Sequence, residues 1–387
     1  MTGPRVLLCV AVPDGSGVPT MALMYAIALR EAGWRPILVL GGGAAGSDEE
    51  AGYIERVKSL GIEYCVEPRL GTGLVRSAAS LARTASGRDA AALLAFHPRD
   101  HFAVALTGLF GLRVPRMPVV GFRHHFDRPP LSSRLKRGAL GWSYRHSARI
   151  LAASPKVATE IETGFSIARE HLSVVPNCID GEREESIKRA QVRPGVRFVN
   201  VARVTWEKGH DVLLEAWDRA GIDGAELMCV GGVPFARDRE AMLEKSAELV
   251  RRSGSFGPSR PVRFLGWRGD VASLLADSDV YVHASISEGP SLCVAILEAM
   301  AVGLPVICTD CAGWPDGFEN GRHGYVVPAG DPEALGKTIR AMSELSPARR
   351  AEMGRNARNL QRTRYSIDSL SRRLDEVLRD LVGQPRS

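Results

Sequence analysis

Short apolar runs alternate with longer segments of helical periodicity along almost the whole chain. Val6–Val12 is a continuous apolar run followed by Pro13, which predicts a buried strand. In Thr20–Ala32 apolar side chains recur every three or four positions, which predicts a helix that ends at Gly33. Further strands are predicted at Ile37–Leu40, Ala90–Phe96, Val119–Phe122, Ile150–Ala153 and Ser173–Val175. Strands that alternate with helices indicate parallel sheets built from βαβ units.

A polar segment, Gly181–Arg197, interrupts this series and contains Arg193-Pro194-Gly195, which is typical of a linker. A second series then predicts strands at Arg197–Val201, Glu226–Val230, Val262–Leu265, Val280–His283, Pro305–Cys308 and Tyr325–Val327, and helices at Asp211–Arg219, Arg237–Arg252 and Ser291–Val302. Two such series predict an α/β protein with two facing doubly wound, Rossmann-like domains and a deep interdomain cleft. The expected bounds are 1–180 for the N-terminal domain, 181–197 for the linker and 198–365 for the C-terminal domain. The C-terminal helix, about 366–387, is a candidate to pack back on the N-terminal domain.

Composition narrows the class of protein. The chain has 387 residues, of which 45% are hydrophobic and 24% charged, and this excludes a disordered protein. Seven scattered cysteines favour a reducing, cytoplasmic compartment over a disulfide framework. The longest nearly apolar run, Phe102–Leu112, is well short of the roughly 20 residues that a membrane-spanning helix needs.

The formal net charge is +6, and its distribution is uneven. Residues 1–180 hold 21 Lys/Arg and 15 Asp/Glu, and residues 99–149 alone hold ten basic and two acidic residues. Ser132–Arg149 resembles a basic amphipathic helix, for which two interpretations stay open: a solvated face, or a face that contacts an anionic membrane or an acidic acceptor. A nucleic-acid partner is disfavoured because the stretch lacks interleaved aromatic residues and any recognised binding module.

A glycine-containing loop follows the first predicted strand. Gly15 and Gly17 precede a helix, where free backbone N–H groups favour an anion or a closely approaching ligand. A nicotinamide dinucleotide is disfavoured, because Thr20 stands where the fingerprint has its third glycine and the second strand ends in glycines rather than an acidic residue. An ordinary strand-to-helix turn is the alternative.

Charged residues at the ends of the second series are candidates for phosphate and sugar chemistry. Arg203 follows a strand and Lys208 precedes a helix, so the two cations could converge on a diphosphate; a solvated surface pair is the alternative. Glu298 lies within the apolar predicted helix Ser291–Val302, where a buried carboxylate needs a partner. A structural salt bridge and the acceptance of sugar or ribose hydroxyl groups both satisfy that need.

Several strings occur in the order found in one known family. They are Ala202-Arg203…Lys208-Gly209, Glu288-Gly289…Glu298-Ala299-Met300-Ala301…Gly303-Leu304-Pro305-Val306, Gly324-Tyr325-Val326-Val327…Gly330-Asp331 and, more weakly, Val174-Val175-Pro176-Asn177. The chain therefore resembles the retaining GT-B glycosyltransferases of family 4. The resemblance implies the GT-B fold, with a nucleotide-diphosphate sugar bound by the second domain and an acceptor by the first.

The resemblance also implies roles for particular residues. Arg203 and Lys208 would hold the diphosphate, Glu288 would face the transferred sugar, Glu298 would bind the ribose hydroxyls and Trp267 would lie near the base. The backbone at Ser291, Leu292 and Cys293 would add N–H donors to the diphosphate, and His97 would face the acceptor. Nine residues separate Glu288 from Glu298 where the family has seven, so either the turn holds two extra residues or the role of the first glutamate has moved.

The family needs no metal, so no metal and no cofactor beyond the nucleotide sugar are expected. His97 and His101 have the spacing of a helical metal pair, but Pro98 makes a continuous helix there doubtful and nothing supplies a third ligand. His124 and His125 follow the predicted strand Val119–Phe122, and the sequence does not indicate which of the two faces the cleft.

The hypothesis is a retaining glycosyltransferase that moves a sugar to the hydroxyl group of a small-molecule or lipid-linked acceptor. The protein would be cytoplasmic, with peripheral attachment at the inner face of the cell membrane as one option for residues 132–149. The alternatives are another GT-B activity, such as a nucleotide-sugar epimerase or hydrolase, and a catalytically silent sugar-nucleotide-binding protein.

Overall fold

The computed structural model describes residues 3–11, 17–42, 48–120, 131–180, 194–233, 239–288, 293–311 and 315–383. The chain divides into two compact units. The first comprises Met1–Cys178 together with Ile367–Ser387, and the second comprises Ile179–Ser366.

Within the described residues, the first unit is built on a parallel sheet of seven strands. The strands are β1 (Arg5–Val10), β2 (Arg35–Gly41), β3 (Glu63–Glu67), β4 (Ala90–Ala95), β5 (Arg116–Val120), β6 (Ile150–Ala152) and β7 (Leu172–Val174), in the order β3-β2-β1-β4-β5-β6-β7. The connecting helices are α1 (Gly17–Glu31), α2 (Asp48–Ser59), α3 (Leu74–Gly87), α4 (Pro98–Leu106), α5 (Leu131–Arg145) and α6 (Pro155–Phe165).

The second unit repeats this arrangement with six parallel strands among the described residues. They are β8 (Val196–Val201), β9 (Ala225–Val230), β10 (Val262–Phe264), β11 (Val280–Val282), β12 (Val306–Thr309) and β13 (Gly324–Val327), in the order β10-β9-β8-β11-β12-β13. Its helices are α7 (His210–Ala220), α8 (Arg239–Ser253), α9 (Val271–Ala276), α10 (Val294–Ala301), α11 (Pro332–Glu344) and α12 (Pro347–Arg364). The last helix of the chain, α13 (Ile367–Val382), belongs to the first unit.

Alternate residues of the central strands fill two separate cores, one on each face of a sheet. In β1, Val6 and Leu8 pack with α1 and α13, whereas Leu7 and Cys9 pack on the opposite face with residues of α3 and α4. Because helices cover both faces of a parallel sheet, every position of such a strand is buried and the sequence reads as one apolar run. This explains why the strand positions were predictable from the hydrophobic pattern.

The strand β3 is absent from the sequence-based prediction. It lies at the edge of the sheet and is mostly half-exposed, so it lacks a continuous apolar run. Its Glu63 forms ion pairs with Arg35 at 2.8 Å and with Arg88 at 2.9 Å. A half-exposed strand with charged ends does not differ from a loop in its hydrophobic pattern alone.

The helix α13 completes the core of the first unit. Leu370, Leu374 and Leu378 repeat every four residues and are almost fully buried in the core that contains α1. At the same contact the indole Nε1 of Trp34 donates to Asp375 Oδ1 at 2.8 Å.

The basic segment 132–149 is only partly described, because the side chains of residues 131–136 lie outside the described part. Of the basic residues that follow, Arg137 donates to the carbonyl of Gly164 at 2.8 Å and Arg145 to that of Phe165 at 3.4 Å. Both carbonyls lie at the C-terminal end of α6, where cations satisfy backbone oxygens without helical partners. Arg149 forms an ion pair with Asp380 of α13 at 2.7 Å. These three arginines therefore bind groups of the protein itself.

None of the helices in the described ranges combines the length and apolar character needed to cross a bilayer. All seven cysteines are free thiols, including Cys308 and Cys311.

Asp100 is a buried carboxylate in the first turn of α4. Its side chain is 2% exposed, and its Oδ2 accepts a hydrogen bond of 3.3 Å from the backbone N–H of Ala11, at the end of β1. Burial raises the pKa of Asp100 to about 7, against the smaller lowering effects of the Ala11 N–H and of Arg99. The folded protein therefore keeps this proton to a higher pH than the unfolded chain does.

We expect Asp100 to lower stability as pH rises. Because the unfolded chain loses this proton near pH 4 and the folded protein near pH 7, the penalty develops between about pH 4 and 7 and is complete above that range. Asp100→Asn keeps an oxygen for the Ala11 N–H but cannot ionise. In urea unfolding the variant and the wild type should be similar at pH 4, and the variant should be more stable by about 2–4 kcal/mol at pH 8. A stability difference that does not change with pH would contradict this assignment.

Candidate functional site

The predicted site residues of the second unit lie at the carboxyl edge of its sheet. The strand order reverses between β8 and β11, because β9 and β10 continue to one side of β8 and β12 and β13 continue to the other side of β11. Ligands of doubly wound sheets bind at such a switch point. Arg203 and Lys208 follow β8, and Glu288 follows β11, so the two loops that flank the switch point supply these three residues.

A glycine turn brings Lys208 to the loop after β11. Residues Trp206–Lys208 form a 3₁₀ turn, and Gly209 follows with a φ of 64°. A Cβ atom on Gly209 would lie 2.0 Å from the carbonyl oxygen of Ala284, so only glycine permits this approach. The backbone N–H of Ile286 donates to the carbonyl of Glu207 at 2.8 Å and ties the two loops together.

Glu288 is the centre of a compact polar network. Its Oε1 contacts the ammonium of Lys208, accepts a hydrogen bond of 2.8 Å from Ser285 Oγ and lies 3.2 Å from His283 Nε2. Burial would raise the pKa of this carboxyl, but His283 and Lys208 together lower it to about 2. Glu288 is therefore a carboxylate whose orientation is held by three neighbours.

His283 links Glu288 to Cys293 and Thr309. The imidazole is 3% exposed, and its Nδ1 lies 3.2 Å from Thr309 Oγ1. Burial lowers the pKa of His283, but its bonds to Cys293 and Glu288 outweigh burial and raise the pKa to about 9. Burial likewise raises the pKa of the Cys293 thiol, whereas the neighbouring His283 lowers it, and the net shift is downward.

The other predicted donor-site residues have distinct surroundings. The side chain of Arg203 is exposed and has no hydrogen-bond partner among the described residues. Cys293 is the N-cap of α10, which begins at Val294 and not, as predicted, at Ser291. Ser291 and Leu292 lie outside the described residues. Glu298 is half-buried, so the expectation of a buried carboxylate was wrong: it lies on a less enclosed face of α10 than its neighbours Leu297 and Ala299.

Trp267 packs against Gly232, which follows Gly231 in a pair of glycines that the sequence analysis did not single out. A Cβ on Gly232 would lie 2.5 Å from Trp267 Cδ1 and Nε1, while the indole remains 63% exposed. Gly231 has a φ of 127°, and a Cβ there would lie 2.1 Å from the carbonyl oxygen of Ala202. The sequence feature that could have identified this position is the pair of consecutive glycines directly after a buried strand.

In the first unit, His97 is the N-cap of α4. It follows β4, which lies beside β1 at the strand-order reversal of this sheet. The exposed His97 accepts a hydrogen bond from Arg99 N–H at Nδ1, whereas the Nε2 of buried His101 lies 3.2 Å from the Val119 carbonyl. Pro98 is the first helical residue, so His97 stands outside the helix and the two histidines do not form the helical pair considered above.

Of the predicted site residues in the glycine loop after β1 and in the pair of consecutive histidines, only Gly17 lies among the described residues. Gly17 is the first residue of α1. Gly15, His124 and His125 lie outside the described residues, and their predicted roles stay predictions.

Two family models match the chain in succession. Glycosyltransferase Family 4 matches residues 15–183, and Glycosyl transferases group 1 matches residues 195–344. The chain belongs to the group 1 glycosyltransferases.

Among named relatives, phosphatidyl-myo-inositol mannosyltransferase of Mycobacterium leprae is 26% identical over 267 residues, which are 67% of each chain. The lipopolysaccharide core biosynthesis glycosyltransferase LpsE of Rhizobium meliloti is 28% identical over 200 residues, which are 51% of this chain and 54% of LpsE. The chain spans about half the length of several of the curated relatives it matches.

Solved structures show the same fold at low sequence identity. Anabaena HepE in complex with UDP has a TM-score of 0.79 at 20% identity and covers 98% of this chain and 100% of its own. Sucrose-phosphate synthase from Thermosynechococcus elongatus also has a TM-score of 0.79, at 14% identity, and covers 98% of this chain and 99% of its own. The fold is therefore GT-B, as predicted.

Gly231 and Gly232 should respond differently to an added methyl group. Gly231→Ala introduces a contact with backbone and requires a left-handed conformation, so we expect a loss of about 1–3 kcal/mol in the free energy of unfolding. Gly232→Ala meets only an exposed indole that can rotate, so its cost should stay below about 1 kcal/mol. Urea unfolding followed by circular dichroism measures both. Equal destabilisation by the two substitutions would contradict this account.

Proposed function

We propose that the chain transfers a sugar from a nucleoside diphosphate donor to an acceptor hydroxyl group with retention of the anomeric configuration. The observation that carries this proposal is the Lys208–Glu288 network beside an exposed Arg203 at the switch point of the second sheet. This arrangement combines cations for a diphosphate with a fixed carboxylate for sugar hydroxyl groups.

The donor diphosphate is bound by Arg203 and Lys208 in this proposal. The exposed guanidinium of Arg203 offers a planar set of donors that fits phosphate oxygens, and the ammonium of Lys208 adds a compact charge. Lys208 moves from Glu288 toward the phosphate when the donor binds. Glu288 then retains Ser285 and His283 and keeps the orientation that faces the transferred sugar.

Stabilisation of the leaving diphosphate supplies most of the rate acceleration. Negative charge builds on the phosphate oxygens as the bond to the sugar breaks, and fixed cationic donors bind this charge more strongly than they bind the ground state. The same phosphate accepts the proton of the attacking hydroxyl group, which enters from the same face and retains the configuration. Positioning of donor and acceptor contributes the remainder.

Three further groups of the protein complete the proposed nucleotide site. The first turn of α10, which Cys293 caps without a side-chain hydrogen bond, offers backbone N–H groups to the diphosphate. Half-buried Glu298 accepts the ribose hydroxyls, and the exposed indole of Trp267 stacks on the base. Anabaena HepE has been solved with UDP and with UDP-glucose, which supports a nucleotide-sugar donor here. Neither a metal nor a further cofactor takes part in the proposed transfer.

The acceptor is proposed to be a cell-envelope glycan or lipid, or a natural-product intermediate. Relatives named for phosphatidyl-myo-inositol mannosylation and for lipopolysaccharide core biosynthesis favour the first class. Cytoplasmic location and contact of residues 132–149 with an anionic membrane surface stay part of the proposal. Among the basic residues of this segment whose side chains the structure describes, Arg137 and Arg145 donate to carbonyls of α6 and Arg149 pairs with Asp380.

The experiment that tests this function measures donor binding and acceptor-dependent turnover together. Thermal-shift screening with UDP, GDP, ADP and TDP identifies the base, because a ligand at 100 times its Kd stabilises by about 2.7 kcal/mol. Product formation is then followed by NMR, which reports the anomeric configuration. Turnover without an acceptor would indicate the alternative epimerase or hydrolase activity, and nucleotide binding without turnover would indicate a silent binding protein.

Arg203→Ala and Lys208→Ala should each lower kcat by roughly 10²–10³, because each removes a cation that binds the leaving diphosphate. Arg219→Ala and Lys337→Ala are the matched controls, since both residues are exposed and each forms an ion pair with a glutamate of its own helix. Unchanged nucleotide affinity and turnover in both site variants would overturn the donor assignment.

Two substitutions of His97 distinguish its role as the N-cap of α4 from a role at the acceptor. His97→Ala loses the N-cap bond and should cost about 1 kcal/mol of stability, whereas Asn is itself a preferred N-cap and should restore it. If His97 faces the acceptor, both His97→Ala and His97→Asn lose transfer and keep the nucleotide-induced thermal shift. Full turnover in His97→Asn would leave His97 with a capping role alone.

A further inference from the structure

Three side chains of the polar network around Glu288 bring together a nitrogen, an oxygen and a sulfur atom, each of which can bind a metal ion. The donor atoms of His283, Glu288 and Cys293 all lie within 4.8 Å of one another. Within the described residues, this is the one group of three or more His, Cys, Asp and Glu side chains with such spacing. His283 is almost fully buried, and the other two are half-buried, so the group is neither a surface cluster nor closed to entry.

The hydrogen bonds around His283 orient its ring for a ligand at Nε2. Thr309 Oγ1 donates to the carbonyl oxygen of Ser285 at 2.7 Å, so this hydroxyl oxygen can accept from Nδ1–H of His283, 3.2 Å away. The ring thereby turns Nε2 toward Glu288 Oε1, at 3.2 Å. Histidines that bind a metal through one ring nitrogen usually donate the other ring N–H to a partner that fixes the orientation of the ring.

The spacing of the three atoms is close to that of a zinc site. Zn–N and Zn–O distances of about 2.0–2.2 Å and a Zn–S distance of about 2.3 Å place neighbouring tetrahedral ligands about 3.3–3.7 Å apart. The observed limits of 3.2 Å between Nε2 and Oε1 and 4.8 Å across the group require shifts of about 1 Å or less. Rotation of the side chains supplies such shifts without a change in the backbone.

We infer that His283, Glu288 and Cys293 bind a zinc ion, with water in the fourth position. The mixture of imidazole nitrogen, carboxylate oxygen and thiolate sulfur selects a thiophilic divalent ion over Mg²⁺. Binding releases any protons held by Cys293 and His283 to solvent, and the ion replaces the ammonium of Lys208 on Glu288 Oε1. Lys208 has a flexible side chain, 13% exposed, that can withdraw from the ion.

Zinc at this position inhibits sugar transfer, because it takes the carboxylate that faces the sugar. This consequence, unlike the metal site itself, rests on the proposed function.

Cobalt(II) is the spectroscopic probe for the site. Added to the full-length protein, Co²⁺ should give the thiolate-to-cobalt charge-transfer band and the visible bands of four-coordinate cobalt, and Zn²⁺ should abolish both by displacement while Mg²⁺ should not. Cys293→Ser should lose the charge-transfer band. Glu288→Gln keeps the thiolate, so it should retain the band but weaken zinc affinity by at least about tenfold.

Cys311→Ser is the matched control, because Cys311 is a half-buried thiol that donates to the same Ser285 carbonyl, at 3.0 Å. It should keep the band, and thermal melting should confirm that each variant is folded. Absence of the band in the wild type, its retention in Cys293→Ser, or its loss in Cys311→Ser would overturn the assignment. These measurements involve no sugar nucleotide, so their outcome is independent of the proposed activity.

Inhibition by zinc is then measured against the metal-free rate of each variant. Zinc should inhibit the wild type at least about tenfold more strongly than Cys293→Ser. Zinc binding without inhibition would support the metal site and overturn the placement of Glu288 at the sugar.

Discussion

A carboxylate that is largely withdrawn from water must be held by cations and hydrogen-bond donors, and in this protein Glu288 imposes that constraint on its surroundings. Lys208, Ser285 and His283 all converge on Oε1, although they come from the loops after two different strands. The close approach of the two loops requires the left-handed Gly209 against Ala284. The carboxylate of Glu288 thus joins the loops that follow β8 and β11 at the edge of the sheet.

The parallel sheets make this arrangement possible because the residues that stabilise the fold and the candidate functional residues occupy different positions. Each central strand contributes alternate residues to two apolar cores, so the strands and covering helices supply the stabilising burial. The carboxyl ends of the strands carry loops that are free to hold polar groups. Both sheets reverse their strand order at one point, and His97 in the first unit and Arg203, Lys208 and Glu288 in the second follow strands at that reversal.

The polar network around Glu288 contains side chains of both the proposed donor site and the inferred metal site. Glu288, a half-buried carboxylate with a low pKa, requires a positive partner at Oε1. Lys208 provides that partner in the structure as it stands. A diphosphate that draws Lys208 away, or a divalent ion that replaces it, would act on the same balance of charge.

The sequence by itself determined the order of the strands and the positions of all the described strands except β3, because strands buried on both faces appear as continuous apolar runs. It also predicted that Arg203, Lys208 and Glu288 follow strand ends, since strand and loop are read from local pattern. The edge strand β3 and the start of α10 at Val294 were missed, because half-exposed edges and helix starts have weak local signals. The tertiary structure alone decided that Glu288 would meet Lys208, His283 and Ser285, that Thr309 would orient His283, and that Glu298 would be half-buried. These contacts join residues separated by up to 80 positions, and no local pattern encodes which side chains the folding of a sheet brings face to face.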